Sequence, residues 1–320
     1  MNIKKTLEKI PGLKSMYRWV LKIVLKYCAV VAPELRYRLN CRLSTIGKWP
    51  DLKNPKTYYD KSIWIILNWN SPLKAICTDK YAVRKYLTDL GYAELLTPLV
   101  GVWDNVENVP IDRLPDKFAL KCTHGCGCNL FCTDKATFNV ENAKKKLTEW
   151  MKRDWGKYSG ERHYRQIRPR IICEEYLEDG KWTMPIDYKF YCFGGKFKMC
   201  MVVYGRQPGI SEHNENYFDR HWNLMHGVLR NEPENYEKGL EIVSKPENYE
   251  RMVGLAEELA KPFPIVRVDF YSVNGKIVFG ELTFTSHGGI GQVWTDKLLE
   301  EIGDMITLPQ PIPYKKQYLT

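Results

Sequence analysis

The chain has 320 residues, of which 44% are hydrophobic and 13% aromatic, and these fractions exclude a disordered protein. Its length exceeds the roughly 250 residues at which a single core stops growing, so we expect two or three lobes. The formal net charge of +10 favours an anionic partner such as a nucleotide, an acidic polysaccharide, a nucleic acid or a membrane surface. Charge alone does not choose among them.

The first 35 residues are basic and contain an apolar run, but they match neither a secretory signal nor a membrane span. Lys22 and Lys26 interrupt the run, so the stretch of about 20 apolar residues that a transmembrane helix needs is missing. Apolar side chains recur at helical spacing, at Met16, Trp19, Val20, Ile23, Val24 and Tyr27. This face either docks on the protein's own core or, within residues 1–30, contacts an anionic membrane surface peripherally.

The ten cysteines follow no signal sequence, which indicates a reduced compartment. We therefore expect a cytoplasmic protein with free thiols. If the N-terminal helix contacts lipid, the protein lies peripherally on the inner face of the cell membrane.

The predicted elements alternate between short strands and amphipathic helices. In chain order they are helices and loops over 1–75, a helix over 78–91 capped by Thr78 or Asp79 and ended by Gly91, a strand over 117–122, a helix over 138–155 capped by Asn139, a strand over 169–179, a hairpin over 187–203 turning at Gly194–Gly195, a helix over 246–263 with Pro246 in its first turn, and a hairpin over 265–284 around Asn274–Gly275. Residues 204–245 are polar, aromatic and irregular, which is typical of a substrate-side insertion. Together these elements predict an α+β fold with antiparallel sheets.

The segment KCTHGCGCNLFC, residues 121–132, contains four cysteines and one histidine. Zinc knuckles usually show C-x2–4-C pairs separated by a longer loop, whereas these cysteines follow C-x3-C-x-C-x3-C and no second cluster follows. Disulfides are disfavoured in a reduced compartment. We predict a phosphate-binding loop instead, because a strand ends at Lys121 and two glycines then free backbone N–H groups to contact oxyanions.

Other charged residues accompany this loop. Lys80 offers a second cation, acidic residues occupy 174–179, and the strands RVD (267–269) and ELT (281–283) carry more carboxylates. Two lysines and several carboxylates suit a magnesium–triphosphate complex, in which oxygen ligands bind the metal and cations bind phosphate.

Strand register tests whether Arg267, Asp269 and Glu281 share one face. With a plain two-residue turn at Asn274–Gly275, Glu281 opposes Val268 and points away from Asp269. A common face therefore requires an odd-length loop or a β-bulge in this hairpin.

In this order, the motifs resemble the TupA-like family of the ATP-grasp superfamily, which is associated with teichuronopeptide and other surface-polysaccharide synthesis. The resemblance spans about residues 50–290 and is carried by residues 79–87, 114–129, 169–179, 187–196 and 245–284. It implies an ATP-grasp fold, in which two α+β lobes with antiparallel sheets clamp ATP after a helical N-terminal region. We expect an N-terminal helical region (1–75), a pre-ATP-grasp segment (76–115), a small lid lobe (116–172) and a large lobe (173–320) with its insertion at 204–245.

The resemblance also implies roles for the loop residues. Lys80 and Lys121 lie at the positions of the two phosphate-binding lysines, with Gly125 and Gly127 in the loop between strand and phosphate. His124 lies near phosphate or, equally well, is an exposed loop histidine.

The nucleotide's base and sugar side is assigned in the same way. Glu174 is expected to accept a hydrogen bond from the adenine amine, and the backbone at Tyr176 and Leu177 to complete the adenine edge. Asp187 and Lys189 either face the nucleotide or substrate or belong to a surface ladder.

The metal positions of the family fall on Asp269, Glu281 and Thr283. Most ATP-grasp enzymes have asparagine at the third position, so the neutral hydroxyl of Thr283 is expected to coordinate Mg²⁺ weakly or through water. Arg267, together with Lys121, is the expected catalytic residue, because its charge steadies the transferring phosphoryl group and the tetrahedral oxyanion that follows.

The implied activity is that of an ATP- and Mg²⁺-dependent carboxylate–amine ligase that forms an amide through an acyl phosphate. Its expected partners are ATP, an amino-acid amine and an acidic sugar or polysaccharide acceptor of the uronic-acid type. Two alternatives remain open: a kinase of the same fold acting on a sugar hydroxyl, and a non-catalytic basic binding protein. We expect no nucleic-acid partner, because no recognised nucleic-acid motif appears.

Overall fold

A computed structural model describes residues 12–43, 47–181, 183–207, 212–237, 240, 243–291 and 293–319. In these ranges two antiparallel sheets are flanked by helices. The helices are α1 (Leu13–Val31), α2 (Pro33–Leu43), α3 (Tyr58–Asn68), α4 (Pro72–Thr78), α5 (Ala82–Asp89), α6 (Val140–Met151), α7 (Trp155–Ser159), α8 (Tyr249–Ala260) and α9 (Asp296–Met305). The strands are β1 (Leu99–Trp103), β2 (Phe118–Cys122), β3 (Asn129–Cys132), β4 (Ile171–Glu175), β5 (Asp187–Phe193), β6 (Lys196–Tyr204), β7 (Asn214–Phe218), β8 (Ile265–Val273) and β9 (Lys276–Thr283).

The predicted α+β fold with antiparallel sheets is confirmed, since every strand pair in both sheets is antiparallel. The helix predicted over 78–91 starts late. Asp79 ends α4 and accepts a hydrogen bond from the Tyr81 backbone (2.8 Å), and α5 begins only at Ala82. Residues 204–245, expected to be irregular, contain the strand β7. The cap at Asn139 is present, because its side chain accepts from the Asn142 backbone at 2.8 Å.

The first sheet has the strand order β1-β4-β2-β3 and buries three of the four cysteines of the segment 121–132, whereas Cys126 is exposed. Cys122, Cys128 and Cys132 pack with Phe118 and other apolar side chains in the core beneath this sheet. Burial raises the pKa of the Cys122 thiol to about 12 and that of Cys128 to about 11. None of the ten cysteines forms a disulfide, and no described group of three or more His, Cys, Asp or Glu side chains could hold a metal ion. Cys122, Cys128 and Cys132 therefore contribute packing.

The second sheet has the order β7-β6-β5-β8-β9 and is covered by α8. The β5–β6 hairpin turns at Gly194 and Gly195, whose φ angles of 57° and 76° require residues without a side chain. Aromatic rings of β5, β8 and α8 meet in the core, with the Phe190 and Phe270 ring centroids 5.7 Å apart and those of Phe190 and Tyr249 also 5.7 Å apart.

The β8–β9 hairpin contains the required bulge. Asn274 (φ 50°) and Gly275 (φ 75°) form a two-residue turn between Val273 and Lys276, which are paired. The register shifts between Asp269 and Phe270, so that Phe270 opposes Phe279 while Asp269 opposes Glu281. The extra residue is Gly280. Because directly opposed residues share a face, the bulge returns Glu281 to the face of Asp269.

The N-terminal helices α1 and α2 pack on each other, and α1 also contacts α7. The interpretation that the apolar face of α1 docks on the protein's own core is wrong. All six predicted side chains, Met16, Trp19, Val20, Ile23, Val24 and Tyr27, are between 40% and 68% exposed. No helix within the described ranges is long and apolar enough to cross a membrane. Residues 1–11 of the predicted membrane-contact segment lie outside the described residues.

Candidate active site

A cavity of about 420 Å³ is lined by residues of both sheets and of the segment around α5. Lys121 of β2 and Glu174 of β4 come from the first sheet, whereas Lys189, Asp269 and Glu281 come from β5, β8 and β9 of the second. The cavity thus brings together side chains that lie up to about 200 residues apart in the sequence. We call it the cleft.

At the first sheet, two lysines face the cleft beside the glycine loop. Lys80 Nζ donates to the Gly125 carbonyl at 2.6 Å, and the Lys80 backbone N–H donates to the Thr123 carbonyl at 3.4 Å. Lys121 Nζ donates to Glu174 Oε2 at 2.6 Å. Both ammonium groups are therefore held at the start of the loop by oxygen atoms of the first sheet and of the loop itself.

Glu174 is shared between two cations. Ala119 opposes Glu174 across β2 and β4, so Lys121, two residues further on, lies diagonally from Glu174 on the same face. Arg84 of α5 donates from Nη1 to Glu174 Oε1 at 2.9 Å and from Nη2 to the Thr97 carbonyl at 2.8 Å. The carboxylate consequently fixes α5 and β2 against each other at the edge of the cleft.

The second sheet contributes a row of alternating charges. Lys189 Nζ lies 2.6 Å from Asp187 Oδ2 and 2.7 Å from Asp269 Oδ2, which its strand partner β8 supplies. Arg267 donates to both oxygens of Asp269, from Nε at 2.7 Å and from Nη2 at 2.6 Å. Burial would raise the pKa of Asp269, but the Arg267 and Lys189 cations outweigh it and hold that pKa below its usual value.

Whereas the pKa of Asp269 is shifted downwards, that of Lys189 is shifted upwards. Burial alone would lower its pKa, and the adjacent carboxylates of Asp187 and Asp269 reverse this, so that its pKa lies above the ordinary value. Lys189 and Asp269 are therefore each held in the charged form by the opposite charges beside them. Asp187 also contacts Arg206 Nη1 at 3.0 Å, yet its other oxygen, Oδ1, is buried without a hydrogen-bond partner.

Glu281 is the open end of this row. Arg267 Nη2 lies 3.3 Å from Glu281 Oε1 and 3.1 Å from Thr283 Oγ1, and the threonine hydroxyl donates to Glu281 Oε1 at 3.0 Å. The Glu281 side chain is 42% exposed, in contrast to the buried Asp269. Burial and Asp269 would raise the pKa of Glu281, but Lys80, Arg267 and Lys189 hold it below its usual value. Because Lys80 lies beside the first sheet and Glu281 on the second, this electrostatic attraction acts across the cleft.

These oxygens fit a hard divalent cation. Asp269, Glu281 and Thr283 offer two carboxylates and one hydroxyl on a single face of the hairpin. Mg²⁺ typically uses one or two carboxylates and completes its shell with water and phosphate oxygens. The donor set is therefore sufficient for Mg²⁺ with a nucleotide, although it is too small for a site built from protein alone.

The TupA-like ATPgrasp family model matches residues 61–307, about three quarters of the sequence. The chain belongs to this family. The matched range contains both sheets and every cleft residue described above. The ATP-grasp fold expected from the motif order is thus confirmed.

Distant solved structures show a partial likeness to this TupA-like ATPgrasp protein. A D-alanine–D-alanine ligase from Bacillus anthracis complexed with ATP is 15% identical, with 72% of this chain and 65% of that chain covered and a TM-score of 0.43. The D-cycloserine synthetase DcsG is 13% identical, with coverages of 73% and 70% and a TM-score of 0.40. The ATP-grasp ligase PsnB complexed with a minimal precursor is 14% identical, with coverages of 74% and 62% and a TM-score of 0.38. This chain therefore covers less than two thirds of the first ligase and of PsnB. No curated protein matches the sequence.

Most of the predicted site residues of the TupA-like protein line the cleft. They are Lys80, Lys121, Gly127, Glu174, Asp187, Lys189, Arg267, Asp269 and Glu281. Thr283 does not line it but hydrogen-bonds to Glu281, which does. The paired lysines and the paired carboxylates thus face one cavity, as the hypothesis of a nucleotide site requires.

Four predicted residues lie elsewhere. His124 is neither exposed nor in the cleft: it is 3% exposed, and it lines a separate cavity of about 520 Å³ with Trp155 and Tyr164. Burial lowers its pKa. At Gly125 a Cβ atom would lie 2.4 Å from the Trp155 ring, so packing requires glycine there. Tyr176 and Leu177 follow β4 outside the cleft lining.

Several cleft residues are not among those predicted from the sequence. Arg84 stands four residues after Lys80, a spacing that could have suggested it, whereas Arg206 follows β6 as an isolated cation. His287 has a positive φ of 51°, and burial together with Arg267 lowers its pKa. Apolar side chains also line the cleft, namely Val83, Leu96, Met201 and Phe279. They offer contacts for a planar base.

Proposed function

We propose that this protein is an ATP- and Mg²⁺-dependent carboxylate–amine ligase. The observation that carries the proposal is that Lys80 and Lys121 share one cavity with Asp269 and Glu281, although four separate segments supply them. ATP-grasp membership makes the nucleotide the natural occupant of this cavity. The cleft is rich in charges at fixed positions, which suits catalysis by positioning and electrostatic stabilisation.

In the proposed complex, the phosphate oxygens of ATP replace the present partners of the two lysines. Lys80 exchanges the Gly125 carbonyl, 2.6 Å away, for a phosphate oxygen, while Lys121 contacts phosphate and stays next to Glu174. Glu174 forms ion pairs with Lys121 and Arg84. We therefore propose that Glu174 orients Lys121 and also accepts a hydrogen bond from the adenine amine. The backbone at Tyr176 and Leu177 is proposed to complete the adenine edge.

A magnesium ion held by Asp269, Glu281 and Thr283 would neutralise phosphate charge and polarise the transferring group. Arg267 keeps Asp269 ionised and ordered through two hydrogen bonds of 2.7 and 2.6 Å. Arg267 also lines the cleft, where we propose that its charge stabilises the transferring phosphoryl group and the later tetrahedral oxyanion. Lys189 keeps the same carboxylate charged from the other side.

The proposed reaction has two steps. A carboxylate oxygen of the acceptor attacks the γ-phosphorus, the bond to the β-phosphate oxygen breaks, and ADP leaves. The amine nitrogen of an amino acid then attacks the carbonyl carbon of the acyl phosphate. A C–N bond forms, the C–O bond to phosphate breaks, the amine loses a proton, and phosphate is released.

We propose a uronic-acid-type sugar as the carboxylate donor, within surface-polysaccharide biosynthesis. Support comes from a third cavity, of about 510 Å³, that shares His213 and Glu215 with the cleft. Four asparagines line it, Asn214, Asn216, Asn231 and Asn235, and amides can donate to and accept from sugar hydroxyls. Asn216 is fixed by donating to the Tyr236 carbonyl (2.5 Å) and accepting from Tyr204 (2.8 Å).

ADP release tests the proposal. The full chain is incubated with ATP, Mg²⁺, a glucuronate-containing oligosaccharide and each of the common amino acids in turn. We expect ADP release that requires both the uronate and one amine, together with an amide product of the corresponding mass. Lys121→Ala and Glu281→Ala are expected to lower kcat/KM on the order of a hundredfold or more, since each removes a charge from the transition state. Lys85→Ala, on the exposed side of α5, is the matched control and should retain activity.

The alternatives predict different products. A phosphorylated sugar formed without any amine would replace the ligase with the kinase. If the protein bound nucleotide but released no ADP with any of the amino acids tested, the non-catalytic binding protein would be the remaining hypothesis. Unchanged turnover in Lys121→Ala or Glu281→Ala would remove the assigned cleft from the reaction altogether.

A further inference from the structure

Helix α1 presents a continuous apolar face to solvent. At about 100° per residue its exposed apolar side chains fall within an arc of about 140°. This apolar stripe consists of Met16, Trp19, Val20, Ile23, Val24, Tyr27, Val30 and Val31, each between 40% and 68% exposed. Six of its members are aliphatic residues or methionine from neighbouring turns, and Trp19 and Tyr27 add rings with a polar edge.

The stripe is concentrated at one place in the molecule. Among the described residues, fifteen large hydrophobic side chains are exposed; eight belong to the stripe and eleven fall between residues 16 and 49. Only four lie in the remaining chain, at separate positions. Single exposed apolar residues are normal on a protein surface, whereas a contiguous apolar face marks an interaction site.

The stripe is not an unpacked core face. The opposite side of α1 already has its packing, since Cys28 and Ala29 are buried and the helix contacts α2 and α7. The helix is therefore held against the protein by one face and leaves the stripe on the other. A partner can therefore cover the stripe while α1 keeps these contacts with α2 and α7.

Charge indicates which partner fits. The 19 residues of α1 contain no aspartate or glutamate, but they include Lys14, Arg18, Lys22 and Lys26. On the helical wheel, Arg18, Lys22 and Lys26 form a row spaced by about 40°, and that row borders the edge of the stripe at Trp19. We call it the basic row. This arrangement matches the layers of an anionic bilayer. The apolar stripe suits the acyl boundary, the cations suit the anionic headgroups, and the aromatic ring suits the interface between them.

We propose that α1 is an interfacial helix that binds this protein to the surface of an anionic membrane. The stripe enters the acyl boundary, and the basic row contacts anionic headgroups. A second copy of the chain fits less well, because pairing two stripes would bring two basic rows together and α1 has no acidic residue to neutralise them. None of the described helices, α1 included, is long and apolar enough to span the bilayer.

Vesicle sedimentation tests the apolar part. The full chain is mixed with vesicles of phosphatidylcholine and phosphatidylglycerol (about 3:1) or of phosphatidylcholine alone, and the bound fraction is measured against lipid concentration. We expect binding to the anionic vesicles and little binding to the neutral ones. Ile23→Glu should weaken binding at least tenfold, because it places a charge at the centre of the stripe. Val140→Glu, which changes another exposed apolar residue on α6, should bind like the wild type.

A second pair of substitutions tests the charge part. Arg18→Gln with Lys22→Gln should lower the affinity for anionic vesicles by about tenfold and leave the weak binding to neutral vesicles unchanged. Raising the salt concentration should weaken the wild type more than this variant. Equal unfolding temperatures for all variants and the wild type establish that each protein is folded.

Four outcomes overturn the proposal. The first is that the wild type fails to bind either vesicle, and the second is that Ile23→Glu binds as tightly as the wild type. The third is a lipid-free dimer, seen by light scattering, that Ile23→Glu dissociates, which would assign the stripe to a second copy. The fourth is loss of binding on deletion of residues 1–11 combined with no effect of Ile23→Glu, which would move the membrane contact out of α1.

Discussion

Lys74, outside the cleft, is a cation that costs stability at neutral pH. It lies on α4 with 3% of its surface exposed, and burial lowers its pKa to about 8, partly offset by Glu161. Below pH 8 the folded and unfolded states both carry the charge, so the full desolvation penalty acts on the folded state. Between pH 8 and the unfolded pKa near 10.4 the folded state is neutral while the unfolded chain stays protonated. The penalty is therefore lost, and stability rises, as pH increases through this window.

Lys74→Met removes the penalty at every pH. We expect the free energy of unfolding to rise by about 3 kcal/mol at pH 7 and by only about 1 kcal/mol at pH 10, from the two pKa values. Urea unfolding of both proteins at the two pH values measures the difference. Lys85→Met is the control, because Lys85 is 80% exposed and should show no such pH dependence. An equal gain at both pH values would mean that packing, and not the charge, sets the effect.

At the scale of elements, one extra residue in β9 assembles the proposed metal site. Without Gly280, the two-residue turn at Asn274–Gly275 would place Glu281 on the opposite face of the sheet from Asp269. The bulge is crowded. A Cβ atom at residue 280 would lie 3.0 Å from the Asp269 carbonyl oxygen, 3.2 Å from the Tyr271 ring and 3.3 Å from Asp269 Cβ. The bulge therefore needs glycine for reasons of space, although its φ is not positive.

Gly280→Ala should strain this hairpin. We expect a loss of about 1–2 kcal/mol in the free energy of unfolding, because the new methyl group must push against the backbone of β8. The displaced Glu281 should also raise the Mg²⁺ concentration needed for half-maximal ADP release. Gly254→Ala is the matched control: it lies inside α8 with nothing within 4 Å of a new Cβ, and it should gain about 0.5–1 kcal/mol. Urea unfolding compares the two, and a Gly280→Ala protein as stable as the wild type would contradict the packing argument.

For the whole molecule, sequence pattern located the central strands and missed three at the sheet edges. β2, β4, β5 and β8 are paired on both sides and read as apolar runs, whereas β1, β3 and β7 each occupy an edge. An edge strand pairs on one side only, so it can be shorter or more polar than a central strand. β3 (NLFC) is short, and β7 (NENYF) begins with polar residues. The other edge strand, β9, was predictable because a turn signal joins it to β8.

The cleft likewise contains residues that the sequence predicted and residues that only the fold reveals. Lys80, Lys121, Asp269 and Glu281 stand in motifs whose order carries information, so they could be named in advance. Arg84 and Arg206 are single cations whose relevance depends on where α5 and the end of β6 come to lie. The exposure of the α1 stripe was likewise undecided, since periodicity defines a helix face and not what covers it.

The two sheets meet at the cleft, so a nucleotide bound there should stabilise both. At a concentration of a non-hydrolysable ATP analogue about one hundred times its Kd, ligand linkage contributes about 2.7 kcal/mol. With an unfolding entropy of about 2.1 cal/mol/K per residue, a 320-residue chain should then gain about 4 °C in Tm. Differential scanning fluorimetry with the analogue and Mg²⁺ measures the shift, which should shrink with EDTA and nearly vanish in Lys121→Ala. Lys85→Ala should keep it. A full shift in Lys121→Ala would place the nucleotide outside the cleft, because a lysine that holds phosphate between the sheets must contribute to the energy that binding adds to the fold.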